Sequence, residues 1–523
     1  MHKSCLSLLL AGTLAACSLE PRYQRPAAPV PQAWPNGPAY RIKPMGEPPG
    51  APGSVPTASR AAADIGWQQF FVDPHLKQLI ALALANNRDL RIAVLNIQKA
   101  RAQYGIQRAV QFPTINASGG EISQRLPGSL RAPGQPALVN EYTAGIGFNA
   151  FELDFFGRVR SLKHAALQSY LATEAAQRSV QISLVAQVAD AYLTLQADQA
   201  LLKLAQDTLQ SQQHASTLVS RSKRAGALAN LDMQRVQTQV DSAQVAVERY
   251  TRQAAQDRNA LQLLVGGPLP ADLPQTGTFS EQPAFETLPA GLPSDLLERR
   301  PDIIEAEHRL EAANANIGAA RAAFFPSITL TGALGLASTS LASLFSAGMA
   351  WTFAPQISVP IFDAGSNQAK LDVAKVQKRI EVATYEKAIQ TAFREVADDL
   401  AARGTLTRQV AAQQDLVKAA RKTYDLSNLR FRGGLDDYYI VLDSQRSLFS
   451  AQQDLITMRL AELTNQVNLY KALGGGWTAA TPPLAAAPVV PPQPPAVTAT
   501  TPATAPTMAP AAAIPPGAAS PLQ

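Results

Sequence analysis

The chain has 523 residues, and its 46 basic and 40 acidic side chains are interspersed, giving a formal net charge of +6. So small and dispersed a charge excludes the basic patch that marks a nucleic-acid-binding protein. A disulfide framework is also excluded, because one of the only two cysteines, Cys5, lies in an N-terminal targeting segment.

Residues 1–16 have the features of a lipoprotein signal peptide. Lys3 supplies positive charge, and the apolar run from Leu6 to Leu14 is too short to span a bilayer. Small residues stand before Cys17, which predicts acylation of that cysteine after cleavage; the alternative is an ordinary signal peptide with a chance cysteine. Each buried CH₂ of an acyl chain contributes about 0.8 kcal/mol, so several chains anchor a protein firmly. The residue after Cys17 is Ser18 and not aspartate. By resemblance to the sorting rule of bacterial lipoproteins, this predicts transport to the outer membrane.

Residues 17–66 are rich in proline and predict an extended tether, after which the body begins at Trp67. Asp73 is a good N-cap and Pro74 suits the first helical position. Apolar residues then recur at helical spacing, and the helix must end before Phe112-Pro113.

Residues 113–156 predict a β-hairpin, because polar and apolar residues alternate on both sides of a proline- and glycine-containing loop. Strands of about ten to fifteen residues can cross an outer membrane when tilted. Residues 157–265 contain no proline and one internal glycine, Gly226, which predicts a long helical hairpin turning there. Together, residues 67–265 form a first repeat.

The same plan occurs again in residues 294–476, after a proline- and glycine-rich connector at 266–293. The Phe112-Pro113 pair occurs again as Phe325-Pro326. The second β-hairpin is therefore predicted at residues 326–362. A helix from Ser366 to about Arg432 would be roughly 100 Å long and would turn at 433–434. The tail, residues 477–523, is rich in Pro, Ala and Thr, carries no charge and predicts disorder.

The sequence has no apolar run of about 18 residues, so a membrane crossing would require strands closed into a barrel. Four strands per chain are too few for a barrel, and their open edges must be paired. The chain is therefore expected to oligomerise.

These motifs resemble the TolC-like outer membrane factors, in particular the OprM/NodT lipoprotein branch, from Cys17 to about Gly476. The residues that carry the resemblance are Cys17, 152–160, 296–302, 359–363 and 430–449. The resemblance implies a mixed α and β membrane protein with two internal structural repeats. It also implies a homotrimer, with a 12-stranded transmembrane β-barrel built from four strands per protomer. A long periplasmic α-helical coiled-coil tunnel would continue that barrel.

The resemblance further implies a lipid-anchored outer membrane exit duct of a Gram-negative bacterium. It would receive small molecules from an inner-membrane RND-type transporter and a periplasmic adaptor. The sequence contains no catalytic constellation, so neither an enzyme nor a cofactor is expected. Alternatives are a duct for metal-ion efflux or type I secretion, a structural coiled-coil lipoprotein without a pore, and an envelope enzyme.

Tyr439, Asp443 and Arg446 share one helix face, because their spacings are four and three residues. By resemblance, that face would line the periplasmic gate, with Tyr439 as an apolar plug and Asp443 in a ring of three carboxylates. Arg446 would pair with Asp443 or with a neighbouring helix. Ile440 departs from the second aspartate that some members carry there. The alternative is a solvated helix face with an ion pair worth about 0.3–0.5 kcal/mol.

The helical turns would also dock the adaptor. The turns offer small and apolar residues for this contact. The predicted docking residues are Gly226, Ala227, Leu228, Gly434, Leu435 and the neighbouring Asp436. The same glycines also serve as helix stops, and the two roles are compatible.

Overall fold

A computed structural model describes residues 18–40, 62–134, 136–226, 229–271, 279, 285, 299–346 and 348–476. The signal peptide, Cys17, most of the connector, the helix expected from Ser294 and the C-terminal tail lie outside these residues. The described part is built mainly from long helices and one small sheet.

The helices of the described residues, in chain order, are α1 Trp67–Phe70, α2 Pro74–Asn86, α3 Arg88–Ala109, α4 Arg158–Arg224, α5 Asn230–Val265, α6 Pro301–Ala322, α7 Ser366–Arg432 and α8 Tyr438–Ala472. The strands are β1 Ile115–Arg125, β2 Leu138–Leu153, β3 Ser327–Ser338 and β4 Met349–Ser358.

The single helix predicted after Asp73 is wrong, since the structure contains two, α2 and α3, separated at Asn87. Asn87 has extended backbone angles, and its side chain accepts a hydrogen bond from Leu90 N at 3.0 Å, so it caps α3. Its Nδ2 also donates to Leu264 O at 2.9 Å. Apolar spacing alone could not reveal this break, because the apolar residues continue on both sides of it.

Two helical hairpins dominate the molecule. α4 and α7 have 67 residues each, about 100 Å, and each begins after a glycine with a left-handed backbone, Gly157 or Gly365. α4 packs along α5, and α7 packs along α8. Within the described residues, no helix is both long and apolar enough to span a membrane.

The strands form one antiparallel sheet in the order β1-β2-β3-β4. Ile115 pairs with Phe148, and Ile328 pairs with Ile357, at the helical end of the sheet. The second hairpin was predicted to extend to Phe362, but β4 ends at Ser358. β1 and β4 each lack a partner on their outer edge within the described chain.

An aromatic core joins the ends of the two repeats. Phe70 stacks on Tyr470 with ring centroids 4.0 Å apart, and the Tyr470 hydroxyl donates to Ile65 O at 2.5 Å. Nearby, Asp73 caps α2 and accepts a hydrogen bond from the Tyr192 hydroxyl at 2.7 Å. The start of the first repeat is thereby attached to α4 and α8.

Residues Ser18–Tyr40, here called the N-terminal strap, are extended as the tether prediction required, but they pack along the body. Arg25 donates from Nε and Nη2 to the two carboxylate oxygens of Glu307, each at 2.7 Å. Asn314 Nδ2 donates to Pro21 O at 2.7 Å. Because Glu307 and Asn314 are buried polar residues of α6, the strap supplies their hydrogen-bond partners.

The strap then continues to α7. Trp34 stacks on Phe393 with centroids 4.9 Å apart, and Arg408 Nη2 donates to Pro38 O at 3.0 Å. A Cβ atom added at Gly404 would lie 2.0 Å from Ala39 O, so only glycine permits this approach.

Candidate functional site

The tips of the two long hairpins share an apolar cluster. Its buried members are Val219, Val236, Tyr438, Val441 and Leu442. The Phe431 ring packs against Tyr438 at a centroid distance of 4.9 Å. The ends of α4 and α7 and the starts of α5 and α8 therefore form one packed unit.

Each tip turns at a glycine with positive φ, +80° at Gly226 and +71° at Gly434. Ala227 and Leu228 lie outside the described residues. Leu435 is 70% exposed, as an apolar contact residue at a tip requires. Asp436 accepts from Arg430 Nε at 2.6 Å and from Nη2 at 2.8 Å, and this hydrogen-bonded pair lowers the pKa of the Asp436 carboxyl. The turn of the second repeat is thus fixed by a bidentate ion pair.

The three predicted gate residues lie together on the exposed face of α8. Arg446 Nη2 donates to Asp443 Oδ1 at 2.6 Å, so within this chain the arginine pairs with that aspartate. Tyr439 is 54% exposed. The three side chains contribute to a shallow cavity of about 160 Å³, whose lining comprises Arg235, Thr238, Gln239, Tyr439, Leu442, Asp443 and Arg446.

Arg235 of α5 belongs to this cluster, although the sequence analysis did not include it. Its guanidinium carbon lies 5.3 Å from the centre of the Tyr439 ring, within cation–π range. The sequence repeat could have indicated Arg235. The long hairpins of the two repeats align at a separation of 208 residues, which matches Arg235 with Asp443. A cation and an anion therefore occupy equivalent positions in the two hairpins.

The sheet has two chemically different faces. On one face, Trp351 pairs with Leu334, which pairs with Ile146, and Phe353 lies in the neighbouring row. These strand residues are exposed and apolar, which is typical of a surface in contact with lipid.

The opposite face of the sheet carries small or uncharged side chains along its middle. Thr352 pairs with Ala333, and Gly145 pairs with Gly335. A Cβ atom added at Gly335 would lie 2.3 Å from Ala144 O, so this close strand approach requires glycine. Such a surface suits contact with water and passing solutes.

No group of three or more His, Cys, Asp or Glu side chains is placed to hold a metal ion among the residues that the structure describes.

Comparison with known proteins defines the class. The family profile described as Outer membrane efflux protein matches residues 79–267 and 292–475. The chain belongs to this family, and each of the two matched segments covers most of one repeat.

Individual relatives agree with this assignment. The toluene efflux pump outer membrane protein TtgC of Pseudomonas putida is 52% identical over 479 residues, covering 91% of this chain and 96% of the relative. The cation efflux system protein CusC of Escherichia coli is 43% identical over 476 residues, covering 90% and 98%. The open-state outer membrane channel MtrE of Neisseria gonorrhoeae superposes with a TM-score of 0.78 at 39% identity, covering 88% of this chain and 98% of that one.

The protein is thus an outer membrane exit duct of a tripartite efflux pump, with a periplasmic helical extension. The predicted resemblance and fold class are confirmed, and a trimeric 12-stranded barrel fits this family.

Proposed function

We propose that this duct exports small, mostly apolar or amphiphilic molecules such as solvents and antibiotics. Two observations support the proposal. Relatives at 49–52% identity are named as toluene, solvent or antibiotic efflux components. In addition, the sheet face opposite the apolar one has no charged side chains along its middle, and such charges would select among solutes.

The duct is a homotrimer that meets a periplasmic adaptor at its helical tips and an inner-membrane RND-type transporter through that adaptor. Leu435 is exposed beside the Arg430–Asp436 turn, and Gly226 begins the turn of the other tip. An apolar residue on a fixed turn suits contact with a second helical hairpin. Acylation of Cys17 would anchor each protomer to outer membrane lipid.

Tyr439, Asp443 and Arg446 form the periplasmic gate. The observation that carries this role is their meeting with Arg235, which places two cations, one carboxylate and an aromatic ring around one cavity. Around a threefold axis, three such clusters would place ion pairs and rings at the narrow end of the tunnel. Within one protomer, the contact of Arg235 with the Tyr439 ring links α5 to α8, and the carboxylates favour cations.

The gate is tested by single-channel conductance in planar bilayers, with wild-type protein compared with Asp443→Ala/Arg446→Ala. We expect a small, cation-preferring conductance in the wild type and a several-fold larger one in the variant. The matched control is Asp415→Ala/Lys418→Ala. It removes an exposed ion pair of the same i,i+3 spacing, with an N–O distance of 2.9 Å, from the C-terminal part of α7.

Equal conductance in the two double variants would show that Asp443 and Arg446 do not form the gate. A folded trimer that conducts in no form would instead favour the structural lipoprotein without a pore.

Cation efflux is the second candidate, since CusC is 43% identical along nearly the whole chain. The two candidate functions can be distinguished in a bacterial strain that lacks its own duct and produces this protein. Restored tolerance to toluene and antibiotics supports the first proposal, whereas restored tolerance to copper or silver alone supports cation export.

A further inference from the structure

Two histidines, one from each repeat, meet at a single buried glutamine. Gln168 on α4 is 8% exposed, and its amide lies between the ring of His164, one turn earlier on α4, and the ring of His308 on α6. The amide Nε2 is 3.1 Å from His164 Nε2, and the amide Oε1 is 2.8 Å from His308 Nδ1. This bridge of three side chains, here called the histidine lock, connects the first repeat to the second.

The lock lies where α4, α6 and the N-terminal strap approach one another closely. A Cβ atom added at Gly318 of α6 would lie 2.6 Å from Ser161 Oγ of α4 and 2.8 Å from Glu20 Cα of the strap. A buried apolar cluster between the two helices consists of alanines, namely Ala165, Ala312 and Ala315. Because each alanine buries little apolar surface, hydrogen bonds contribute a larger share of the attachment of α4 to α6.

Each histidine of the lock also has a carboxylate nearby. His164 Nδ1 lies 3.0 Å and 3.2 Å from the two carboxylate oxygens of Glu20 in the strap. His308 Nδ1 lies 3.8 Å from Glu311 Oε2 on α6. An opposite charge at such distances favours the charged form of an imidazole, so both rings are drawn towards protonation.

The other charged groups of the packed elements interact elsewhere. Glu307 of α6 binds Arg25 of the strap, and Lys378 of α7 donates to an amide oxygen on α6. Arg101 of α3 acts on the Tyr170 hydroxyl. The protonation of the lock is therefore governed by Gln168 and the two nearby carboxylates.

The amide of Gln168 can bind only one charged ring at a time. A primary amide has one donor end, the NH₂ group, and one acceptor end, the oxygen. In either orientation of the amide, the ring nitrogen at its NH₂ end must carry no proton. A charged imidazole carries a proton on both nitrogens, so two charged rings cannot both stay hydrogen-bonded to Gln168.

We propose that His164, Gln168 and His308 form a pH-sensitive lock between the two repeats, which accepts one proton and is opened by a second. Histidine ordinarily changes its charge between pH 8 and 5, so the lock is closed at neutral pH and opens in acid. The second proton leaves the NH₂ group of a buried amide without an acceptor. Opening weakens the contact of α4 with α6, the helix that precedes β3.

The number of bound protons determines the sign of the pH dependence. In the unfolded chain both histidines become charged independently, whereas the closed lock holds one proton. The native state thus binds one proton fewer in acid, and its stability falls as the pH falls. The unfolding equilibrium constant rises by at most about tenfold per pH unit from this cause.

Gln168→Glu should reverse this sign, because a carboxylate accepts at both of its oxygens and both rings can then be charged. Relative to the wild type, we expect the thermal midpoint of the detergent-solubilised variant to be higher at pH 5. At pH 8 it should be lower, because a carboxylate is then buried beside neutral rings. Comparing variants at each pH cancels the contributions of the other titrating groups. His214→Gln removes an exposed histidine from the same helix and should change the midpoint equally at both pH values.

NMR spectroscopy of protein labelled at histidine Cε1 counts the protons directly. The mature chain has four histidines, since His2 lies in the predicted signal peptide, and His164→Gln and His308→Gln identify the two ring signals of the lock. In the wild type, one of these rings should still be neutral at the pH at which His214 is fully charged. In Gln168→Glu, both should be charged at that pH.

His308→Gln gives the same test without adding a charge. Glutamine at position 308 can present either end of its amide to Gln168, so the remaining His164 ring should become charged together with His214. Two charged rings in the wild type at that pH would overturn the lock. A midpoint difference between Gln168→Glu and the wild type with the same sign at pH 5 and pH 8 would also overturn it.

Discussion

At the level of single residues, the carboxyl group of Asp190 on α4 is difficult to ionise because it is buried. Burial raises the pKa of its carboxyl from 3.8 to about 7, although Lys471 and a hydrogen bond with Thr464 act in the opposite direction. Burial, with Glu395, likewise raises the pKa of Asp399 on α7 to about 7. Two carboxyls near the same lysine are therefore proton-bound in the folded protein at mildly acidic pH.

The sign of the pH dependence follows from this shift. The native state binds a proton that the unfolded chain has released between about pH 4 and 7, so the stabilisation by this proton is complete below pH 4 and is lost as the pH rises through 7. We expect Asp190→Asn to raise the thermal midpoint at pH 8, by a stability gain on the order of 1–2 kcal/mol. The increase should be smaller at pH 5, because stability is lost progressively between about pH 4 and 7.

Thermal unfolding of the detergent-solubilised protein at both pH values checks this expectation. Asp425→Asn, which removes the same charge from an exposed position on α7, is the control and should shift neither midpoint. A pH-independent effect of Asp190→Asn would contradict the assigned protonation.

Among structural elements, the N-terminal strap is held to α6 by a few polar side chains. The Glu307 carboxylate is 12% exposed and receives both Arg25 hydrogen bonds and one from the Tyr23 hydroxyl at 3.1 Å. A buried carboxylate without its cation is strongly destabilised. The strap is therefore part of the folded body.

We expect Arg25→Ala to lower stability by roughly 2–3 kcal/mol, because it leaves Glu307 buried and without its cation. Arg25→Lys should recover part of the loss, since lysine keeps the charge but cannot form the bidentate pair. The thermal midpoint and the rate of proteolysis within residues 18–40 report the change.

Arg22→Ala is the matched control, because Arg22 lies in the strap with an exposed side chain. Equal shifts for Arg22→Ala and Arg25→Ala would show that the Glu307 contact contributes nothing specific.

At the scale of the whole molecule, the first described residues of the strap contact α6 close to the sheet. Arg321 Nη1 donates to Leu19 O at 3.2 Å, and Arg321 lies in the last turn of α6, shortly before β3 begins. The described part of the strap therefore begins beside the helical end of the sheet.

We expect Cys17→Ala to abolish incorporation of radiolabelled palmitate and to leave an uncleaved precursor, because both steps require the cysteine thiol. Ser18→Ala should keep the label and the mature mass. Palmitate incorporation that persists in Cys17→Ala would refute the lipoprotein assignment.

Local sequence signals predicted the repeated architecture well. Absence of proline and the Gly433-Gly434 pair defined α7, which spans Ser366–Arg432 as expected. Alternation and turn residues located the four strands, and the restated Phe-Pro motif revealed the second repeat. These features depend on backbone preferences within a few residues, so they can be seen without a structure.

The candidate site was only partly visible in the sequence. Helical spacing placed Asp443 and Arg446 on one face, and the structure pairs them at 2.6 Å. Arg235 joined the cluster only in three dimensions, because it lies about 200 residues earlier on another helix. The gate function of this cluster stays a proposal.

The sequence by itself determined the periodic elements, the duplication and the family. Only the tertiary structure decided where the strap packs, why a helix breaks at Asn87 and which strand edges remain open. Those features depend on contacts between residues far apart in the chain, such as Arg25 with Glu307. Local propensity carries no information about such contacts, because their energy arises only when folding brings both partners out of water.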